Sequence, residues 1–494
     1  MSPTDLNIEL QRARQLMRVK NYGEALPLYA SLTQQFPYGA LLFEFGSAAV
    51  GSGDFELGHR IWQTLLNREP DNASLLWPLA EEYGKLSMFS KANAIYAKAT
   101  ALEPQNLEMQ LRMVSYFART GATEEGRAAV EKCLEIDSKN PWARFLTVHL
   151  DRLDKKYDGV EAELRKLLAE APPIPQLLSG CHLELAFVLD NEERYDEAMQ
   201  HLVESKKIAA LQMPAAAEQK ATDEVRLQGL HATKALPRNI LTLWAKSFPP
   251  PVRAPMPPLA FLCGHIRSGT TLLERIFDAH PLIAAFDELL AFQTIVPLVD
   301  IGALELPAQT LNFFRTRYLK NLTVEAGVPD GKTLFDKNPA ATAALPALLR
   351  TFPEMRVLIA LRDPRDIMIS SFFMKPLHYI HLSLESMARH YSASMDAWLA
   401  VRQWEGLNWM QTRYEDVVTN LEHEGRRATQ FLGLEWHENQ ARFYENNRGK
   451  SVKNYSEVTK PIYTKAMGRW RAYEKYLAPV LPVLEPYCKE FGYD

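Results

Sequence analysis

Cysteine is scarce in this chain: Cys133, Cys181, Cys263 and Cys488 are the only four in 494 residues. No CxxC pair occurs among them, which argues against a disulfide framework and against a zinc site of that type. Long hydrophobic runs are also missing. No stretch of about 18 uninterrupted apolar residues appears, so no membrane-spanning helix is expected. The opening MSPTDLNIELQRARQ is polar and lacks the apolar run of a signal peptide, and a cytoplasmic setting is the resulting expectation. Nor is there an excess of one charge. Lys and Arg total 56 against 60 Asp and Glu, a formal charge of -4. A chain-wide basic surface for nucleic acid is therefore unsupported, although a local basic pocket stays open. Compositional bias is lacking too, with 47% hydrophobic and 23% charged residues. That excludes a mainly disordered, collagen-like or coiled-coil chain. At about 150 residues per domain, two to four domains are expected.

What is present begins with a repeat. Ala25, Gly58, Ala92, Gly126, Val160 and Ala198 are spaced by 33, 34, 34, 34 and 38 residues. Four residues after each stands a large apolar residue: Tyr29, Trp62, Tyr96, Val130, Leu164 and Leu202. Three residues before most of them is an aromatic, at Tyr22, Phe55, Phe89, Tyr157 and Tyr195; Thr123 breaks the pattern. Asn72, Asn106 and Asn140 recur every 34 residues, with Pro70 and Pro104 ahead of two of them. A small residue lets two antiparallel helices approach, and the large residue one turn later fills the space beside it. The Pro-x-Asn segments end one helical pair and start the next. This pattern resembles the tetratricopeptide repeat over residues 8–210, in about six repeats. The resemblance implies a solenoid with a groove for a peptide or protein partner, although the groove could equally pack against the rest of the chain.

Beyond Leu202 the period fades into one or two helices carrying Ala215–Ala217, Ile240, Leu241, Leu243 and Trp244. Six prolines then fall within residues 249–258, a run that neither helix nor central strand accepts. The expected domains are a repeat array over 1–210, a helical and proline-rich linker over 211–255, and a second domain over 256–494.

That second domain opens with LAFLC, Leu259–Cys263, an apolar run that reads as a buried parallel strand. Gly264-His265-Ile266-Arg267-Ser268-Gly269-Thr270-Thr271 follows, then LLERIF at helical spacing. A strand, a glycine-bearing loop and a helix aim several N–H groups at one point and make an anion site. The Gly264-x4-Gly269 spacing is that of a P-loop, but Thr270 stands where a nucleotide triphosphatase has lysine. Magnesium-dependent γ-phosphoryl chemistry is thereby disfavoured. A second apolar run, RVLIAL at Arg356–Leu361, leads directly into Arg362-Asp363-Pro364-Arg365-Asp366, with Ser370 eight residues after Arg362. Ligands bind at such strand ends in open α/β sheets, and Arg362 offers a bidentate contact to phosphate.

Together these segments resemble the sulfotransferase family. Asp336-Lys337-Asn338-Pro339, Tyr414-Glu415, Lys460-Pro461-Ile462-Tyr463 and Gly468-Arg469-Trp470 extend the likeness toward its tyrosylprotein and repeat-fused bacterial members. The resemblance implies a multidomain chain: an all-α solenoid followed by an α/β, P-loop-like domain with a parallel sheet. It implies transfer of a sulfuryl group from 3′-phosphoadenosine 5′-phosphosulfate to a hydroxyl or phenol, on a peptide, glycan or small molecule, with no metal. Arg267, Ser268, Gly269, Thr270 and Thr271 would hold the 5′-phosphosulfate. Arg362, Ser370 and Arg469 would hold the 3′-phosphate, with Tyr414 near the nucleotide. Glu288, 21 residues after Arg267, would be the general base, with adjacent Asp287 as the competing choice. Lys337 and Arg267 would stabilise developing charge.

Three positions depart from the family pattern. Met374, beside Lys375, replaces an arginine of some relatives, Asn454 stands for a serine, and His265-Ile266 precede Arg267 unusually. His265 and His280 are expected to be structural, and Trp470 to be core. Residues 289–330 are expected to form an insert over the site, in which Phe292, Phe313, Phe314 and Tyr318 either wall the acceptor or serve ordinary helix packing. A repeat scaffold with a vestigial nucleotide site, and a P-loop kinase, remain the competing readings.

Overall fold

The computed structural model describes residues 3–19, 21–86, 88–213, 220, 224, 233–295, 298, 306–326, 331–339, 341–445 and 461–493. Asn454, Lys460 and Ala215–Ala217 lie outside the described residues.

Six helical hairpins come first: α1 (Pro3–Arg18) with α2 (Tyr22–Gln35), α3 (Gly39–Gly51) with α4 (Phe55–Arg68), α5 (Ala73–Lys85) with α6 (Phe89–Leu102), α7 (Leu107–Thr120) with α8 (Thr123–Ile136), α9 (Pro141–Leu153) with α10 (Val160–Glu170), and α11 (Pro175–Asn191) with α12 (Tyr195–Ala210). The small-residue positions fall on the second helix of each pair, and the large residue one turn later is buried in every repeat. Helix approach explains the constraint. A Cβ added at Gly58 would sit 2.6 Å from a methyl of Val50 on the preceding helix. Two of the recurring asparagines cap the helices that follow them, while the Asn72 side chain makes no cap hydrogen bond. Asn140 Oδ1 accepts the N–H groups of Trp142 and Ala143, each at 3.1 Å, and Asn106 Oδ1 accepts that of Met109 at 3.2 Å. Thr123, which breaks the aromatic pattern, still starts a full helix.

The second half follows a short helix, α13 (Ile240–Ser247), and the proline segment. Five parallel strands form one sheet in the order β2-β3-β1-β4-β5: β1 (Leu259–Gly264), β2 (Ile283–Asp287), β3 (Thr333–Lys337), β4 (Arg356–Leu361) and β5 (Trp409–Arg413). Helices α14 (Thr270–Asp278), α16 (Ala341–Thr351), α17 (Pro364–Phe372) and α18 (Leu384–Val401) accompany them. β1 and β3 are buried at every residue, as parallel strands covered on both faces require. The register aligns the carboxyl ends: Gly264 pairs with Ala360, Asp287 with Lys337, and Leu361 with Arg413. Arg267, Glu288, Lys337, Arg362 and Tyr414, which stand at or just after the ends of β1, β2, β3, β4 and β5, therefore gather at the same edge of the sheet.

The compact units cut across the expected division. One comprises Met1–Met113, Leu289–Pro297 and Gln309–Asp330; the other comprises Val114–Glu288, Leu298–Ala308 and Gly331–Asp494. Helix α15 (Ala308–Ala326) of the insert thus belongs with the first repeats. Arg317 Nε and Asn321 Nδ2 both donate to the Gly53 carbonyl at 2.9 Å, and Lys320 pairs with Glu56. Tyr318 and Phe292 are buried core residues, so ordinary packing accounts for them, while Phe313 is exposed. In the second unit the last hairpin, α11 with α12, is built together with the α/β sheet. The array is therefore not one independent body.

Candidate active site

The first loop is built by two glycines. Gly264 ends β1 at φ +143°, where an added Cβ would lie 2.5 Å from the Ala360 carbonyl of the neighbouring strand. Gly269 precedes α14 at φ +88°, and a Cβ there would strike the Tyr414 ring at 2.6 Å. Only glycine meets both demands. Thr342, on α16, locks the turn from behind. Its hydroxyl accepts the Gly264 N–H and donates to the Gly264 carbonyl, both at 2.8 Å. Ser268 donates to the His265 carbonyl at 2.6 Å and is buried, so its hydroxyl shapes the loop. The N–H groups at the start of α14 remain as the anion-binding end.

Arg267 and Glu288 are two of only five non-glycine residues with positive φ among the described residues, at +67° and +49°. Such conformations cost on the order of 1 kcal/mol each and persist where the surroundings impose them. Arg267 is exposed, and its Nε donates to Ser370 Oγ at 2.8 Å. The first loop is thereby joined to the second. Arg362 tightens the junction: its guanidinium donates to the Arg267 carbonyl at 3.1 Å and to the Ala466 carbonyl at 2.6 Å. It also lies 4.8 Å from the centroid of the Tyr414 ring, the ring that packs on Gly269. Arg362 Nε is buried with no hydrogen-bond partner. An orphaned guanidinium nitrogen at this edge suits an anionic oxygen. Arg267, Ser370, Arg362 and Tyr414 thus form one cluster.

A second cluster meets at the ends of β2 and β3. Lys337 is 1% exposed and donates to Glu288 Oε1 at 2.9 Å; it also pairs with Asp287 and lies 3.5 Å from Thr271 Oγ1. The Glu288 N–H donates to the Lys337 carbonyl at 2.8 Å. Burial alone pushes the Lys337 ammonium toward its neutral form, but Asp287 and Glu288 outweigh it and raise its pKa above the ordinary lysine value. The ammonium is therefore held charged. Glu288, at 47% exposure, is the more open carboxylate, while Asp287, at 13%, is the more enclosed. Sequence reasoning left these two acids as competitors; the structure makes both of them partners of one lysine.

Sequence reasoning missed Glu274. It lies on α14, one turn beyond Thr270 and Thr271, is buried, and has one carboxylate oxygen without a partner. Burial, followed by the charges of Asp287 and Asp278, pushes its carboxyl up to about 8. The folded chain thus keeps a proton there that the unfolded chain, with a carboxyl near 4.5, has released. This contribution to stability is complete below pH 4.5 and is lost as the pH rises toward 8. Glu274→Gln is expected to flatten that decline and to raise the thermal midpoint at pH 8 relative to the wild type. Thermal melts between pH 5 and 8 check this, and parallel curves for the two proteins would count against it.

Other assignments settle simply. His280 accepts the Leu282 N–H at 3.0 Å and donates to the Glu435 carbonyl at 2.9 Å, a structural role. Burial, with His390 nearby, pushes His265 down to about 3, so it is neutral. Trp470 is buried with the Arg365 guanidinium 4.0 Å from its ring centroid, and is core. Lys375 is exposed, and the Met374 carbonyl accepts from Lys206 at 2.6 Å. Arg469 is directed elsewhere than expected. Its Nη2 lies 2.8 Å from Asp190 on α11, and its guanidinium stacks 4.2 Å from the Phe373 ring centroid. No group of three or more metal-ligating side chains occurs among the described residues.

The model of the sulfotransferase family matches residues 258–438. An uncharacterized protein of Aquifex aeolicus is 23% identical over 77% of this chain and 51% of its own length, so the chain spans about half of that relative. Protein-tyrosine sulfotransferase A of Caenorhabditis elegans is 23% identical over 48% of this chain and 67% of its own. Among solved structures, the sulfotransferase domain of the Synechococcus PCC 7002 olefin synthase is 18% identical, covering 49% of this chain and 96% of its own, with a TM-score of 0.35. The part of the chain similar to the sulfotransferase family, residues 258–438, thus follows an N-terminal array of helical hairpins.

Proposed function

We propose that this protein transfers a sulfuryl group from 3′-phosphoadenosine 5′-phosphosulfate to a hydroxyl or phenol acceptor. The observation that carries the reading is the meeting of Lys337, Glu288 and Thr271 beside the glycine cradle, with Arg267, Ser370 and Arg362 clustered at the same sheet edge. The donor supplies an activated sulfuryl group and has two separate anionic ends. The N–H groups at the start of α14 suit one end. Arg362, with its orphaned Nε, and Ser370 suit the other.

In this reading Glu288 accepts the acceptor's hydroxyl proton. The acceptor oxygen forms a bond to sulfur while the bond from sulfur to the bridging oxygen breaks. The electron pair leaves with that oxygen, on adenosine 3′,5′-bisphosphate, where Lys337 meets the developing charge. The relatives named protein-tyrosine sulfotransferases make a tyrosyl phenol the first acceptor to test. Recruitment of the acceptor by the hairpin array belongs to the same proposal.

Calorimetric titration with adenosine 3′,5′-bisphosphate tests the donor site. Metal-independent binding is expected, and Arg362→Ala should weaken it about 100-fold or more. Magnesium-dependent ATP binding with no bisphosphate binding would favour the kinase reading and sink this one.

A further inference from the structure

The segment from Ala466 to Tyr473 borders the Arg362 cluster, because the Ala466 carbonyl accepts from Arg362. Two carboxylates fix this segment. Asp366, buried on α17, accepts the Gly468 N–H at 2.7 Å and the Trp470 N–H at 2.9 Å. Asp190, near the end of α11, accepts the Tyr473 hydroxyl at 2.6 Å and lies 2.8 Å from Arg469 Nη2, with Arg469 Nε at 3.3 Å. The first carboxylate comes from the helix that follows Arg362. The second comes from the last helical hairpin, more than 270 residues away in sequence.

Other contacts bring the same hairpin onto the same place. Phe187 packs against Phe373 at 5.1 Å between ring centroids, and Tyr195 against Tyr473 at 5.4 Å. Lys206, buried on α12, donates to the Met374 carbonyl and sits 5.2 Å from the Phe372 ring centroid. Phe372, Phe373 and Met374 lie at the end of the helix that carries Ser370. One hairpin therefore steadies both the helix of Ser370 and the loop that touches Arg362.

We infer that Asp190 is a positioning residue for the nucleotide site, holding the 466–473 loop against Arg362 through Arg469 and Tyr473. Arg469 then serves the nucleotide by fixing this loop through its ion pair with Asp190. The inference rests on the donor-site reading above. Its physical basis is that Arg362 has a single geometry only while its acceptor at Ala466 is held. A loop that wanders leaves the guanidinium with more states to lose on binding. The last repeat hairpin is accordingly part of the donor site, in addition to whatever the earlier hairpins recruit.

The test uses the full chain and four variants: Asp190→Ala, Asp190→Asn, Arg469→Ala and the double variant Asp190→Ala/Arg469→Ala. Asp196→Ala is the control. Asp196 lies on the same hairpin and pairs at an exposed position with Lys475 and Tyr476, which follow the 466–473 loop. Hydrogen exchange at the Trp470 amide reads the loop directly, without nucleotide. Asp190→Ala should speed this exchange at least tenfold. Asp190→Asn, which keeps an acceptor for the Tyr473 hydroxyl, should fall between, and Asp196→Ala should match the wild type.

Bisphosphate affinity should fall about tenfold in Asp190→Ala, in Arg469→Ala and in the double variant alike. The loss should appear in the KM for the donor, with kcat nearly kept. Three results overturn the inference while the donor reading stands: unchanged Trp470 exchange in Asp190→Ala, unchanged bisphosphate affinity there, or a much larger loss in Arg469→Ala than in Asp190→Ala. A wild-type protein that binds no bisphosphate overturns the donor reading, and the inference falls with it.

Discussion

Replacing Lys337 with methionine is expected to lower the single-turnover rate of sulfuryl transfer by about 10²–10³, a larger factor than its effect on bisphosphate affinity. Methionine keeps the length and burial of the side chain and removes only the charge. The ammonium has three partners in the structure: Asp287, Glu288 and Thr271. Its removal breaks the buried ion pair with the enclosed carboxylate of Asp287 and costs about 3 kcal/mol of stability. The rate must therefore be measured at a temperature where the variant is folded. Glu288 also loses the partner that fixes its rotamer, so the proton acceptor is misplaced as well as the charge. A turnover within tenfold of the wild type would remove Lys337 from the reaction and shift the weight to Arg267.

Gly264→Ala is the second large effect, and it acts through the backbone. The new Cβ would meet the Ala360 carbonyl at 2.5 Å and Ser268 Oγ at 2.8 Å, at a φ of +143° that side chains rarely adopt. The carbonyl belongs to β4, so it cannot retreat without breaking the β1–β4 register that ends at Gly264 and Ala360. The expected loss is about 3 kcal/mol or more, with a fall of roughly 4 °C or more in the melting of the sheet-bearing unit. Bisphosphate binding should fail with it, because the same shift moves the start of α14. Calorimetric melting together with the titration checks both. A variant that melts like the wild type and still binds would show that the turn has slack.

Much of this site was legible because it follows local rules. Leu259–Gly264 announces itself as a buried strand through an unbroken apolar run after a proline breaker, and RVLIAL does the same for β4. The glycines of the first loop and the small residues of the repeats mark places where backbone or helix must approach closely. β3 was not read as a strand, since two charged residues, Asp336 and Lys337, close a run of only five; burial on both sides comes from neighbours that are far off in sequence. Glu274 hid on a helix face, where a lone acid looks solvent-directed until the strand ends are placed beside it. Thr342 and Asp190 carry no local signal. Each acts on a loop that the fold alone brings near. Arg469 sits in a motif that suggested a phosphate, and its pairing with Asp190 depends on a hairpin that no period in the sequence assigns to the sheet. The asparagines that recur through the repeats, by contrast, could be read as helix starts because capping is a local affair.

The Gly53 carbonyl gives the chain a timetable. Its two donors, Arg317 and Asn321, lie 264 and 268 residues later. At about 5–20 residues per second of synthesis, the acceptor waits roughly 10–50 s for its partners to be made. During that interval the early hairpins exist without the helix that completes them, while α15 and the Tyr318 ring buried with it are still unmade. Order of birth and order of assembly therefore differ in this protein. The ribosome delivers the array first, and the array is finished only once translation has gone well into the sheet.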